Sequence, residues 1–364
     1  MMDRLHVRHL TIDELRDTAL ALGEPEYRYR QLATSLYARL AGDFDGMTDL
    51  PRALRATLRE RFFVSAARTA AVQSSGVDGT RKYLFELAGG ERIESVLMRY
   101  ERRATICVST QVGCPLDCVF CETAKGRFRR NLTAGEILDQ ICTLKADADL
   151  ASQKVNIVFM GMGEPLLNLD EVVRAIRTLN HPLGLNLGEK RITVSTSSFP
   201  DRIRALADSG VACSLALSLN APTDEKRREI MPKASRFSIA ELLDAARYFV
   251  RSGRRRVTLE YVLLAGVNTS DADADALARL ARSQPFKLNL IPYNPGRSGG
   301  FAPVDEGRIQ RFVQRLLPSA PAVTVRRSRG ADIDAACGQL WTNSLGREDK
   351  PAGVSGEDVP LTST

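Results

Sequence analysis

No stretch of this 364-residue sequence approaches the roughly 18 consecutive apolar residues that a membrane-spanning helix requires. The opening segment Met1–Arg8 is charged and lacks the apolar run of a secretory signal, so the expected location is the cytoplasm, with no membrane partner. Histidine is scarce. His6, His9 and His181 all lie far from the cysteine motif described below, which argues against a Cys–His zinc site. There are seven cysteines, an odd number, and without export signals disulfide stapling is not expected; they call for metal, catalytic or core roles. A large charge excess is also missing, with 51 Lys and Arg against 44 Asp and Glu for a formal +7. Clustering therefore matters more than the total. Of five basic runs, Lys226–Arg228 and Arg254–Arg256 read as solvated faces, as any such run does by default, and Arg99–Arg103 carries no sharper reading. Lys125–Arg130, directly after the cysteine motif, and Arg326–Arg329 are the better phosphate-binding candidates.

With 44% hydrophobic and 26% charged residues, the chain suits one large globular domain and a smaller one. Residues 1–62 show helical spacing in TIDELRDTALAL, YRYRQLATSLYARL and PRALRATLRERF and read as a small helical accessory domain. Residues 63–105 are richer in β-formers, with Lys82–Leu87 and Glu94–Met98 flanking Gly89-Gly90 as a β-hairpin linker. From Ile106 the pattern alternates. Strand-like runs at Ile106–Thr110, Lys154–Met160, Arg191–Ser197, Cys213–Leu219, Arg256–Leu264 and Lys287–Tyr293 are separated by helical runs such as Thr133–Leu144 and Ser238–Val250. Such alternation means parallel pairing through right-handed crossovers. Six units are too few for a closed eight-fold barrel, so residues 106–342 are expected to form an open (β/α)6 partial barrel, with Ala322–Arg327 as an edge strand. Residues 343–364 are polar, Pro/Gly-rich and aperiodic and read as a disordered tail.

Cys114, Cys118 and Cys121 form C-P-L-D-C-V-F-C on the loop after the first strand of this repeating region. A loop can converge three thiolates on one centre where a strand cannot, and thiolates are soft ligands suited to iron-sulfur clusters or zinc. Three ligands leave one iron of a 4Fe-4S cluster open to chelation. Chance placement of three core cysteines is the bland alternative, but it would have to supply both the spacing and the position. The motif resembles the signature of the radical S-adenosylmethionine enzymes, and the resemblance implies a 4Fe-4S cluster, S-adenosylmethionine and its reductive cleavage. On the same expected barrel mouth, Gly163 and Glu164 in GMGEP resemble the element that holds the methionine amino group in that superfamily. Ser195, Ser218-Leu219-Asn220 and Asn294 end successive strands. Each alone is more often a cap or turn residue, but together a shared cofactor pocket is the better reading.

Over residues 10–340 the chain resembles the RlmN/Cfr family of adenosine methyltransferases in ICVSTQVGCPLDCVFC, VFMGMGEPLLN, LIPYNP, TVRRSRGADIDAACGQL and the N-terminal FDGMTDLPRALR. The resemblance implies an S-methylcysteine intermediate at Cys337, a resolving thiol at Cys107 that closes a transient disulfide with it, and a proton acceptor at Glu94. It also implies structured RNA as substrate, with C2 of an adenosine in 23S rRNA or tRNA favoured over C8, and an electron donor such as flavodoxin or ferredoxin. Two positions depart from the family pattern, Asn220 where His is usual and Glu122 where a small residue is usual. Cys142 and Cys213 read as core packing. Two competing readings remain open from the residues alone: a radical enzyme acting on a protein or small molecule, and a metal-bearing RNA-binding module without catalysis. Replacing Cys114, Cys118 or Cys121 by Ala is expected to abolish both the visible iron-sulfur absorbance and formation of 5'-deoxyadenosine, as measured on anaerobically reconstituted protein.

Overall fold

The computed structural model describes residues 4–253, 256–282, 285–296, 300–320 and 322–341; the tail 343–364 and Arg254 and Arg255 of one basic run lie outside these. Ten strands form one sheet: β1 Ala67–Ser74, β2 Arg81–Leu87, β3 Arg92–Tyr100, β4 Arg103–Cys107, β5 Asn156–Phe159, β6 Ile192–Thr196, β7 Ser214–Ser218, β8 Val257–Leu263, β9 Lys287–Pro292 and β10 Val323–Val325. Their spatial order is their chain order. From β4 to β10 every pairing is parallel, beginning with Ile106 opposite Ile157 and ending with Leu290 opposite Val325. The expected six strand–helix units and edge strand are therefore present. Helices cross between the parallel strands, among them Ala134–Asp147, Leu169–Asn180, Pro200–Asp208, Ile239–Arg251 and Asp271–Arg282.

The β-rich stretch of residues 63–105 contains three strands rather than two, because Ala67–Ser74 precedes the hairpin of β2 and β3. These strands pair antiparallel with one another and, through β3, with β4, so they extend the barrel sheet. Ala67–Ser74 escaped the sequence reading because most of its residues are exposed and its apolar residues, three alanines and Val72, show no alternation.

Local sequence explains where the helices begin. Thr11 with Glu14, Thr133 with Glu136 and Ser238 with Glu241 each close a reciprocal capping box, satisfying two orphan donors of the first turn. The helices then bury one face against the sheet, as Val172, Ile176 and Leu179 do. Strands flanked by helices are apolar almost throughout, with Leu215, Ala216 and Leu217 all buried.

The N-terminal helices Ile12–Ala21, Tyr27–Ala33 and Arg52–Arg61 share the hydrophobic core of the barrel, and Arg174 pairs with Glu14. The most deeply buried tie between the two is one charge pair. Arg8 Nη1 donates to Asp139 Oδ1 at 2.6 Å, and the same guanidinium donates to the carbonyls of Val64 and Ala41. Arg8 is 2% and Asp139 0% exposed. Breaking a buried pair from one side leaves an uncompensated charge. Asp139→Ala is therefore expected to destabilise the fold by about 3–5 kcal/mol, measured by denaturant unfolding.

Candidate active site

The cysteine motif is held by a short ribbon. Gln111–Val112 pairs antiparallel with Arg130–Asn131, pinching the loop between them. Gly113 sits at φ +74°, and a Cβ there would fall 2.2 Å from the Arg127 carbonyl oxygen, so only glycine allows this closure. Across the loop, Val119 N–H donates to the Ile230 carbonyl and Asp117 Oδ1 accepts from Lys233 N–H. Leu116 packs with Ile230, Met231, Leu264 and Tyr293 in a small core beneath it.

Cys114, Cys118 and Cys121 thereby line one cavity of about 160 Å³ at the carboxyl ends of the parallel strands. Burial pushes all three thiols up, and charge on Cys121 pushes Cys114 and Cys118 further. Three mutually repelling buried thiolates need positive charge among them, which is what iron supplies. Among the described residues no three His, Cys, Asp or Glu side chains gather around one point as ligands of a single ion would.

The cavity wall also contains Gly163, Glu164, Ser195, Ser218, Asn220 and Asn294. Leu219, named with them from the sequence, is instead fully buried in the barrel core. Its N–H donates to the Glu260 carbonyl, so its contribution is to hold β7 against β8. Asn220 stands at φ +57°, its Oδ1 accepts from Val262 N–H at 2.9 Å, and its Nδ2 lies 3.4 Å from the Met231 sulfur. Its acceptor is thus taken by the neighbouring strand, leaving donor capacity for a ligand hydroxyl. Asn294 Nδ2 donates to the Cys337 carbonyl at 3.3 Å, tying the cavity rim to the segment that carries Cys337.

Glu164 is 2% exposed. Oε1 accepts from Leu166 N–H and Oε2 from Ser197 N–H, each at 3.0 Å. Burial raises its carboxyl to about 7 despite these bonds. Behind it, Arg227 donates to the carbonyls of Ser197 and Ala234. Arg227 is 0% exposed, which corrects the reading of Lys226–Arg228 as a solvated face; Lys226 likewise pairs with Asp273.

A second cavity of about 80 Å³ adjoins the first, and Cys107 and Cys337 both line it. Cys121, Met160, Gly161, Arg326 and Cys337 are among the residues lining both cavities. Burial, then the neighbouring Cys337, pushes the Cys107 thiol up to about 12, while Arg326 draws it down. Arg326 is itself held above its ordinary value, first by charge at Cys337 against the cost of burial, then by Glu260, Cys107 and Tyr100. Arg326 and Glu260 are site residues that the sequence reading did not single out for the cavity. Arg326 lay within a basic run, and nothing in its spacing shows that it turns inward. The rest of that run also borders the thiol cavity: Arg327 pairs with Glu306, and Arg329 reaches Asp78 and stacks on Tyr100. In the other run Arg130 is clamped by Glu91 and Glu136, so Lys125, Arg127 and Arg129 are its exposed members.

Glu94 lines neither cavity. It is 1% exposed on β3, paired with Lys82 at 3.3 Å, and Oε2 accepts from Trp341 N–H at 2.8 Å. Glu122 is also buried, pairing with Lys125, while its N–H donates to the Gly338 carbonyl.

A cysteine loop after the first strand of an open parallel β/α barrel, with an acidic and hydroxyl-lined cavity at the same strand ends, defines a radical S-adenosylmethionine enzyme. The sequence model of the radical SAM superfamily matches residues 108–278, and that superfamily implies S-adenosylmethionine and a 4Fe-4S cluster. Residues 6–64 match the ribosomal RNA large subunit methyltransferase N-terminal domain. Within the class, the chain belongs to the RlmN RNA methyltransferases. It is 45% identical over 99% of its length to the dual-specificity RNA methyltransferase RlmN of Geobacter sulfurreducens, covering 98% of that protein. It is 43% identical over 91% of its length to the probable RlmN of Thermotoga maritima, covering 96% of it. The crystal structure of a radical SAM methyltransferase from Sphaerobacter thermophilus is 44% identical, with a TM-score of 0.89 over 93% of this chain and 100% of that one. No helix among the described residues is long and apolar enough to cross a membrane.

An ammonium ligand at Glu164 would require the ionised carboxylate. Because burial raises this carboxyl to about 7, affinity for S-adenosylmethionine should strengthen as pH rises from 6 toward 7, where the carboxyl ionises. Calorimetric titration of the cluster-loaded protein should show this rise, and Glu164→Gln should bind weakly without it.

Proposed function

We propose that this chain methylates C2 of adenosine in structured RNA, both 23S rRNA and tRNA, with Cys337 as methyl carrier and Cys107 as resolving thiol. The observation that carries this reading is the cavity shared by Cys107 and Cys337, which opens beside the one lined by the three motif cysteines. Simple methyl transfer to a nucleophilic substrate would have no use for a second pair of thiols there. C2 of adenine is an electron-poor carbon that does not attack a sulfonium, so a methyl carrier that can be activated as a radical meets a chemical need.

Cys114, Cys118 and Cys121 hold the cluster, one per chain, while Glu164 holds the ammonium of S-adenosylmethionine. Ser195, Ser218, Asn220 and Asn294 line the remainder of that pocket, and Gly163 allows the backbone to approach the ligand. When bound, the cluster delivers an electron that splits S-adenosylmethionine and yields the hydrogen-abstracting 5'-deoxyadenosyl radical. Cys337, methylated beforehand, gives up a hydrogen from its S-methyl group and adds through that carbon to the ring. Glu94 accepts the ring proton. The odd electron of the adduct would return to the oxidised cluster; the Cys107 thiolate then attacks the Cys337 sulfur, closing a disulfide as the S–CH2 bond breaks, and the released CH2 carbon takes a proton to become the methyl group of the departing base.

RNA contact falls to the exposed Lys125, Arg127 and Arg129 and to the N-terminal helices, with the target base drawn out of a loop or junction where unstacking costs least. The reductant is a low-potential electron carrier of the flavodoxin or ferredoxin kind, and the setting is the cytoplasm. The resolving role gives a sharp test. Cys107→Ala should still attack the base but fail to release it, accumulating a protein–RNA crosslink through Cys337 that disappears in the Cys107→Ala/Cys337→Ala double variant. Multiple-turnover methylation by Cys107→Ala, with no crosslink on a denaturing gel, would falsify the two-cysteine route.

A further inference from the structure

Lys82 and Glu94 lie on adjacent antiparallel strands, β2 and β3, where Lys82 faces Val96 and Leu84 faces Glu94. The two side chains are thus diagonal neighbours on one face of the sheet. They are 4% and 1% exposed, and Lys82 Nζ lies 3.3 Å from Glu94 Oε1. A buried ion pair is weak evidence for stability, since apolar residues of similar volume commonly serve as well or better. Its presence here therefore points to another role.

Both members of the pair reach across more than two hundred residues to the same segment. Lys82 Nζ donates to the Asp334 carbonyl at 3.3 Å, and Glu94 Oε2 accepts from Trp341 N–H at 2.8 Å. Cys337 lies midway between those two anchors. Residues 334–341 contain no helix or strand, and Asp334 and Gly338 both take positive φ, at 51° and 86°. Further polar bonds hold the middle of the segment: Gln339 Nε2 to the Pro295 carbonyl, Glu122 N–H to the Gly338 carbonyl, and Thr123 Oγ1 to the Leu340 carbonyl. Ala335 and Leu340 add apolar contacts with the main core, so the segment, which has no regular structure, is held by these few contacts and by its polar bonds.

Ala335, Ala336 and Leu340 of this segment line the thiol cavity, whereas Lys82 and Glu94 do not. A base delivered to Cys337 therefore meets the segment before it meets the carboxylate. A proton acceptor must come within hydrogen-bond reach of the proton it takes.

We infer that Lys82 is a positioning residue that, with Glu94, latches both ends of the Cys337 segment, so that one movement releases the segment and frees Glu94 Oε2 for the ring proton. The inference rests on the reading of Glu94 as proton acceptor and Cys337 as methyl carrier. With the latch open, Lys82 stays at Oε1 and aims the other oxygen. The proton passes from the ring carbon to Oε2, and the electrons of the C–H bond remain with the ring.

Trp341 is the one tryptophan of the sequence and reports on the latch directly. On the full-length, cluster-loaded chain, hydrogen-exchange mass spectrometry of the peptide spanning 334–341 and acrylamide quenching of the indole emission read the two states. In Lys82→Gln the amide of Trp341 should exchange at least tenfold faster and the indole quench more readily. Methyl transfer to a protein-free 23S rRNA transcript should fall at least tenfold further than methylation of Cys337 does. Lys82→Arg should restore both. Wild-type exchange and quenching in a folded Lys82→Gln protein, or equal loss of the two methylation steps, overturns the inference. If that variant does not fold, exchange in the wild type with and without the transcript decides. RNA accelerates it at 334–341 if the latch opens, and protection of that peptide refutes the latch. Full RNA methylation by Glu94→Gln would instead remove the proton-acceptor reading and leave the exchange result standing, so the two fail separately.

Discussion

Parallel pairing from β4 to β10 puts seven strand ends on one rim, and everything chemical in this protein depends on that rim. Because a parallel connection must return through a crossover, each strand delivers its last residues and the following loop to the same side of the sheet. Cys107 ends β4, Ser195 lies near the end of β6, Ser218 ends β7, and Asn294 follows β9. Residues spread over nearly two hundred positions of sequence thereby share one pair of adjoining cavities. The antiparallel strands β1 to β3 extend the same sheet past its first parallel strand and bring Lys82 and Glu94 to the back of the thiol cavity.

Buried cations are distributed across this rim. Arg227 stands behind Glu164 through the Ser197 backbone, Arg326 lies between the two cavities, and Lys82 faces Glu94. Each buried cation is close to a group that the proposed chemistry needs as an anion: the carboxylate for an ammonium ligand, the pair of thiols, and the base. In a low-dielectric setting such pairing has far more effect than it would at the surface, and a lost partner costs correspondingly more. The exposed Lys125, Arg127 and Arg129 line neither cavity. Family membership and fold agree on the reaction class, and Cys107 and Cys337 share one cavity that adjoins the one lined by the motif cysteines.

The motif cysteines, the GEP turn and the alternation of strands and helices were legible in the chain because each is local. Three thiolates within eight residues, glycines beside a glutamate, and apolar periodicity report on their neighbours in sequence, and neighbours in sequence are close in any fold. The N-terminal helices were legible for the same reason, through spacing and capping residues. The ending ADIDAACGQL pointed to Cys337 only through family resemblance, as ESVLM pointed to Glu94. Nothing in either segment's own spacing places it near the cluster loop.

Tertiary structure alone decided which of the charged residues turned inward. Arg227 is the fully buried member of its basic run and Arg326 the member of its run that lines both cavities, and a run of like charges carries no signal for which member turns inward. It also decided that Leu219 belongs to the core while Ser218 and Asn220 line the pocket, since the chain leaves β7 after Ser218 and turns through a left-handed Asn220. The coupling of Lys82, Glu94, Asp334 and Trp341 joins positions about 250 residues apart. Periodicity and motif spacing reach a few turns or one loop at most, so contacts of that separation exist only once the sheet has closed and the carboxyl-terminal segment has returned to its rim.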